Sequence, residues 1–249
     1  MNDKNHTDQL PHYLNEREIR RMSRRELLKL TPILALGAFA LPEFNEQLFK
    51  RGLQLTDRAS QGFFNGNRLA QTFSDREVTP LEKFPINSYA DYDPANDLDN
   101  WTLTVEGMVA RPGEYSLDQI KRLPRYEQNV KHICIEGWDV IGNFGGARLS
   151  DFLRLVGADT AARFIEVGCL DDYYSSYDLE SCLHPQTLLC YEMYGRPLNG
   201  AHGAPLRIHM PVKLGYKSAK HIRAIRVTNV LAKEKGFWED QGYSWHGGI

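Results

Sequence analysis

Apolar and polar positions alternate from Trp101 through Leu103 to Val105, the two-residue period of a half-buried strand. Val130–Ile135, Phe164–Cys169, Leu188–Met193, Leu206–Met210 and Ile222–Val227 read as further short strands. Arg111-Pro112-Gly113 marks a turn. Ser116-Leu117-Asp118-Gln119 has the form of a capping box and predicts a short helix. A second helix is expected from a cap at Ser150 to about Val156, stopped by Gly157. Strands and helices do not alternate as βαβ units, so the pattern predicts a single α+β domain of mixed short strands and helices over residues 99–249. Residues 41–98 are punctuated by Gly62, Gly66, Pro80, Pro85 and Pro94 and read as an irregular N-terminal arm, with short helices, wrapped over that core.

The first 40 residues have a different character. A polar stretch with clustered positives ends in Leu30–Pro42, an uncharged run too short to span a bilayer comfortably. Ala38-Phe39-Ala40 has the small-x-small form of a cleavage site. Ser23-Arg24-Arg25-Glu26-Leu27-Leu28-Lys29 resembles the twin-arginine export signal, with Leu27 at the usual Phe position. Residues 1–40 are therefore expected to be a signal peptide directing the chain to a bacterial periplasm. That route carries proteins already folded, often around a cofactor. An amphipathic helix with a basic face is the alternative.

Composition narrows the classes. In 249 residues, 42% are hydrophobic and 25% charged, ordinary values for a globular protein, and the net charge of −2 argues against a general nucleic-acid binder. Four cysteines are too few for a disulfide scaffold, and none lies in a CxxC pair, so a structural zinc site is poorly supported. There is also no haem-attachment motif and no dinucleotide-binding glycine fingerprint. Charge is unevenly placed: no Asp or Glu occurs from Met193 to Lys233, a stretch that holds eight Lys or Arg, with Gly200, Gly203 and Gly215 among them. Such a stretch suits a bound anion such as a phosphate, or a solvated strand face paired with acids elsewhere. Cys134 falls at a predicted strand end before a Gly-rich loop. It could be a metal ligand, a small buried hydrophobe, or a nucleophile served by His132 or His202.

Four blocks then carry a family likeness. They are Asn87-Ser88-Tyr89-Ala90-Asp91-Tyr92; Cys134-Ile135-Glu136-Gly137-Trp138 with Phe144-Gly145-Gly146-Ala147-Arg148-Leu149; His184-Pro185-Gln186-Thr187-Leu188 running into Tyr194-Gly195-Arg196-Pro197-Leu198; and Gly203-Ala204-Pro205-Leu206-Arg207 with Met210-Pro211 and Gly215-Tyr216-Lys217-Ser218-Ala219-Lys220. In order and spacing, residues 84–230 resemble the sulfite-oxidase-fold molybdopterin oxidoreductases, and within them the bacterial branch that reduces protein methionine sulfoxide.

The resemblance implies one molybdenum–molybdopterin cofactor per chain, with Cys134 as the catalytic cysteine whose thiolate ligates the metal. It implies cofactor contacts from Asn87, Ala90 and Asp91 in segment 84–92. Cys169 and His202 stand where the reductase branch has Thr and Asn. Arg207 matches the arginine at the cofactor's phosphate, and Ser218, Ala219 and Lys220 match the loop that closes over it. Two departures bear on substrate. Glu136 takes the place of the basic segment that follows the cysteine in sulfite oxidases, which would disfavour a dianion if it faces the pocket. Val212 stands where the reductase branch has Trp, near the family's substrate mouth. Two-electron oxygen-atom transfer is implied, reducing methionine sulfoxide or a similar S- or N-oxide on a small molecule or a protein. Sulfite oxidation is the alternative, and a non-catalytic pterin-binding module or a thiol or zinc hydrolase are alternatives of other classes. Electrons would come from a membrane b-type haem subunit drawing on quinol, and a monomeric catalytic subunit is implied because the chain ends soon after Val230.

Overall fold

Strand β1 (Thr102–Gly107) turns Leu103 and Val105 fully inward, as the alternation requires. The computed structural model describes residues 68–90, 92, 98 and 100–249. The expected export signal and Asp91 lie outside the described residues. After β1 come β2 (Gly113–Ser116), helix α1 (Leu117–Lys121), β3 (Arg125–Ile133), β4 (Asp139–Arg148) and helix α2 (Leu149–Val156). The chain continues through β5 (Phe164–Cys169), β6 (Tyr174–Asp178), helix α3 (Leu179–Leu183), β7 (Leu188–Met193) and β8 (Arg196–Pro197). It ends with β9 (Arg207–His209), β10 (Ile222–Thr228) and helix α4 (Phe237–Asp240).

These strands form two sheets, one ordered β2-β1-β10-β5-β6 and one ordered β3-β4-β7, with β8 and β9 both pairing on β7. Only β1 and β10 pair in parallel within the first sheet; its other pairs are antiparallel. Mixed sheets with helices set apart from the strand order make an α+β fold.

Strand β7 explains how the sheets share a core. Leu189 and Tyr191 face a large apolar cluster with β1, β5, β10 and α2, while Leu188, Cys190 and Met193 face a smaller cluster around Phe84 and Phe144. A strand buried on both faces needs an unbroken apolar run, and Leu188-Leu189-Cys190-Tyr191 supplies it. Helix α2 packs Leu149, Phe152, Leu153 and Val156 into the large cluster at helical spacing. Gly157 closes α2 with φ +66°, a backbone that favours glycine. The capping box on α1 forms in full: Ser116 Oγ accepts from Gln119 N at 3.3 Å and Gln119 Oε1 accepts from Ser116 N at 2.8 Å.

Two local expectations need correction. Ser150 does not cap α2, whose N-cap is Arg148. The chain passes straight from β4 into the helix, and the first helical amide, Leu149 N, donates to Thr187 O at 3.0 Å. The Gly-rich loop expected after Cys134 is largely strand β4. Its glycines are there for close packing: a Cβ on Gly142 would come within 2.7 Å of the Phe84 ring, and one on Gly146 would strike the carbonyl of Leu189, beside the bulge where β4 meets β7.

The described part of the arm follows this second sheet. It carries two 3-10 turns, Asp75–Glu77 and Leu81–Lys83, and donates from Thr79 N to Ile141 O at 2.8 Å. Thr72 bridges Val130, and Phe84 is buried in the smaller cluster.

Candidate active site

Cys134 sits one residue beyond β3, in the tight turn that leads to β4. Its amide donates to Trp138 O at 2.9 Å, and Gly137 takes φ +90° to close the turn. The turn holds the thiol half-buried at the edge of the sheet. Asn87 reaches it from the arm, with Nδ2 3.8 Å from Cys134 Sγ. Phe84 anchors that reach, its ring edge-on to His202 with centroids 5.4 Å apart.

Both residues line a cavity of about 410 Å³. Arg207 and Lys220 line it as well. Arg207 is 2% exposed and donates only to backbone: Nη1 to His202 O at 3.0 Å and Nη2 to Ser218 O at 3.2 Å. Its Nε is buried without a partner, and among the described residues no carboxylate pairs with it. Lys220 Nζ donates to Asn87 O at 2.6 Å and Ala201 O at 2.7 Å. Burial, together with the Arg207 charge, pushes the Lys220 ammonium down to about 7. Gly203, at φ +103°, lets the two side chains converge, because a Cβ there would lie 3.0 Å from Lys220 and 3.2 Å from Arg207. Asp171 lines the same cavity, but among the described residues neither cation makes an ion pair, so the two together suit a bound anion.

The segment 215–220 lines the cavity too. Ser218 and Ala219 line the cavity, Ser218 Oγ accepts from Met210 N at 3.3 Å, and Ala219 O accepts from Ile208 N at 2.9 Å. His132 and His202 also line it. Burial and the two cations push His132 down to about 3 and His202 down to about 4, so both are neutral near pH 7. Neither has the basicity to take a proton from the Cys134 thiol, which removes the hydrolase alternative's general base. Among the described residues no three His, Cys, Asp or Glu side chains stand together as a metal-ligand set. Cys134 is the one sulfur donor lining the cavity.

Of the residues expected at the site, the structure brings together Asn87, Cys134, His202, Arg207, Ser218, Ala219 and Lys220. Cys169 is not among the cavity-lining residues: it is 1% exposed at the end of β5, packed into the large core, where burial pushes its thiol up. Ala90 is exposed and does not line the cavity, and Val212 is buried away from the lining. Sequence reasoning missed Tyr173, Trp238 and Tyr243, which complete the wall. Their only signal was aromatic residues in stretches without strand or helix periodicity.

Residues 90–238 match the model of the oxidoreductase molybdopterin-binding domain. The chain is 42% identical over 187 residues to a putative protein-methionine-sulfoxide reductase subunit of Azospira oryzae, covering 74% of this chain and 70% of that one. It is 28% identical over 243 residues to a protein-methionine-sulfoxide reductase catalytic subunit of Xanthomonas axonopodis pv. citri, covering 89% and 73%. The crystal structure of the sulfane dehydrogenase SoxCD from Paracoccus pantotrophus shares the fold with a TM-score of 0.50 at 19% identity, over 54% of this chain and 40% of that one.

Proposed function

The chain belongs to the molybdopterin-binding oxidoreductase family and is an enzyme of that kind, and on that premise we propose that it is a periplasmic sulfoxide reductase acting on methionine sulfoxide or a closely similar S- or N-oxide. One observation carries the reading. A single accessible thiol and two cations that make no ion pair among the described residues share one cavity, lined by Cys134, Arg207 and Lys220 together. That donor set fits a molybdenum–pterin group with a phosphate tail, one per chain.

When bound, the group supplies two-electron oxygen-atom transfer. Cys134 gives the protein's thiolate to the metal, and Asn87 Nδ2 donates toward that sulfur. Arg207 and Lys220 take the phosphate, for which the Arg207 Nε is already free. Ser218, Ala219 and His202, which line the cavity, would hold the pterin when it is bound. Ala90 and Asp91 belong to the same arm segment as Asn87, whereas Cys169, buried in the core, makes no contact with the cavity.

Glu136 lies exposed at the cavity and its carboxylate accepts from Trp138 Nε1 at 3.0 Å. A carboxylate at the mouth repels a dianion such as sulfite and tolerates an uncharged sulfoxide. In the net reaction the sulfoxide takes up two electrons and two protons and leaves as thioether and water. The electrons come from quinol through a membrane b-type haem subunit, and the twin-arginine signal delivers the folded, loaded chain to the periplasm. The catalytic subunit acts as a monomer.

The exported protein, purified from a cofactor-competent host, tests this. Elemental mass spectrometry and pterin fluorescence are expected to give equimolar molybdenum and pterin, and reduced viologen is expected to drive sulfoxide reduction. Folded protein without molybdenum would leave a pterin-fold binding module. Loaded protein that turns over sulfite and no sulfoxide would reverse the direction.

A further inference from the structure

Besides the two cations, the cavity wall is aromatic. Tyr89 and Tyr173 stand edge to face at 5.6 Å, and Trp238 and Tyr243 at 5.5 Å. The second pair belongs to the carboxyl-terminal segment, Phe237–Ile249. The family match ends at residue 238, so Tyr243 and the residues around it lie past the matched stretch. Helix α4 is a single turn, too short to hold itself in place.

A buried ion pair holds it instead. Glu239 and Lys217 pair with both side chains 1% exposed. Glu239 Oε1 also accepts from Ser175 Oγ at 3.1 Å, and Lys217 Nζ donates to Ser176 O at 2.8 Å. Gly236 is required there, because a Cβ would strike the Glu239 carboxylate. Lys217 sits between Tyr216 and Ser218, both of which line the cavity. The tail is stitched to the same loop: Leu214 N donates to Gly247 O at 2.8 Å, Ile249 N to Val212 O at 3.2 Å, and Tyr216 Oη to Ser244 O at 2.5 Å. Desolvating two charges costs more than an apolar contact of the same size, and what such a pair fixes is one geometry. The geometry fixed here is the position of Trp238 and Tyr243 against the cofactor loop.

We propose that the carboxyl-terminal segment is the specificity wall of this cavity: Trp238 and Tyr243 receive the organic part of an uncharged, extended apolar or aryl sulfoxide, and the Lys217–Glu239 pair positions them. Flat aromatic faces favour such a group over a small methyl substituent, because they cover more apolar surface. The sulfoxide half of this statement rests on the function proposed above. The wall itself does not.

The test uses the loaded holoenzyme with methyl phenyl sulfoxide and dimethyl sulfoxide as paired substrates, and methyl phenyl sulfone as an unreducible probe in calorimetry. Tyr243 is 43% exposed, so Tyr243→Ala is expected to fold. It should lower the aryl-to-dimethyl ratio of kcat/KM by about tenfold, mostly through the aryl KM, and weaken sulfone binding by about the same factor. Glu239→Gln should lower the same ratio with molybdenum content retained, and Glu239→Asp should restore part of it. A merely structural role would lower both substrates alike. If Tyr243→Ala and Trp238→Ala leave both the ratio and the sulfone affinity at wild-type values, the wall is refuted while the reductase reading stands. If no sulfoxide is reduced yet Tyr243→Ala still weakens sulfone binding, the wall stands and the reductase reading falls.

Discussion

Asn87 Nδ2 lies 3.8 Å from Cys134 Sγ, so an arm residue and a strand-end residue 47 positions apart share one sulfur. The contact places a hydrogen-bond donor on the atom that the proposed function makes a metal ligand, where it tunes the ligand and fixes its orientation. Cys134 is half-buried in a turn and packs into neither apolar cluster. A Cys134→Ser variant is therefore expected to fold with a circular dichroism spectrum and Tm close to wild type and to lose sulfoxide turnover. Full turnover in that variant would remove Cys134 from the metal.

Arg207 bears on the cofactor-free protein. Its guanidinium is buried with a partnerless Nε and no carboxylate, so in the empty cavity it is a cost. Arg207→Met should leave the cofactor-free protein at least as stable in urea, while lowering pterin retained after purification by about tenfold or more, since a charge-assisted contact to phosphate is lost. Equal pterin retention would show that the phosphate sits elsewhere.

Lys220 gives the anion site a pH dependence. Its ammonium is pushed down to about 7 by burial and by Arg207, with Asp171 pulling weakly the other way. An anion binds the protonated form, so binding is strongest below pH 7 and weakens by up to tenfold per unit above it. His132 at about 3 and His202 at about 4 stay neutral across that window. Sulfate should therefore raise the Tm of cofactor-free protein more at pH 6 than at pH 9, and Lys220→Met should flatten the difference. The same shift has a stability sign. The folded value lies below the ordinary lysine value, so the penalty is full below pH 7 and is relieved as pH climbs toward 10.

Gly146→Ala tests the packing of β4. The added methyl would meet the Leu189 carbonyl and the Cys190 Cα, and neither is a flexible side-chain end. A loss of about 3 kcal/mol is expected from urea unfolding. Gly137→Ala offers a comparison, since its Cβ meets nothing within 4 Å and only the φ of +90° opposes it. It should cost about 1 kcal/mol. A loss at Gly146 no larger than at Gly137 would show that the Leu189 contact relaxes rather than setting the cost.

How much of this was legible in the chain depends on what each residue had to report. Leu103 and Val105 face one core, and α2 buries one stripe, so their periods could be read directly. Strand β4 could not be read, because its glycines answer to Phe84 and Leu189, residues distant in sequence. Ser150 was misplaced as a cap because β4 runs directly into α2, whose first amide, Leu149 N, is taken by Thr187 O, a carbonyl distant in sequence.

The sequence by itself determined the α+β class, the family, the thiol at position 134 and an acid-free stretch suited to an anion. Each is carried by residue type and short-range order, which a chain displays before it folds. Tertiary structure alone decided that Arg207 lacks a counter-ion, that Lys220 is desolvated beside it, that Cys169 is core, and that Trp238 and Tyr243 reach the cavity. Burial and charge pairing are properties of neighbours in space, and those neighbours lie on strands and loops whose order no local period records.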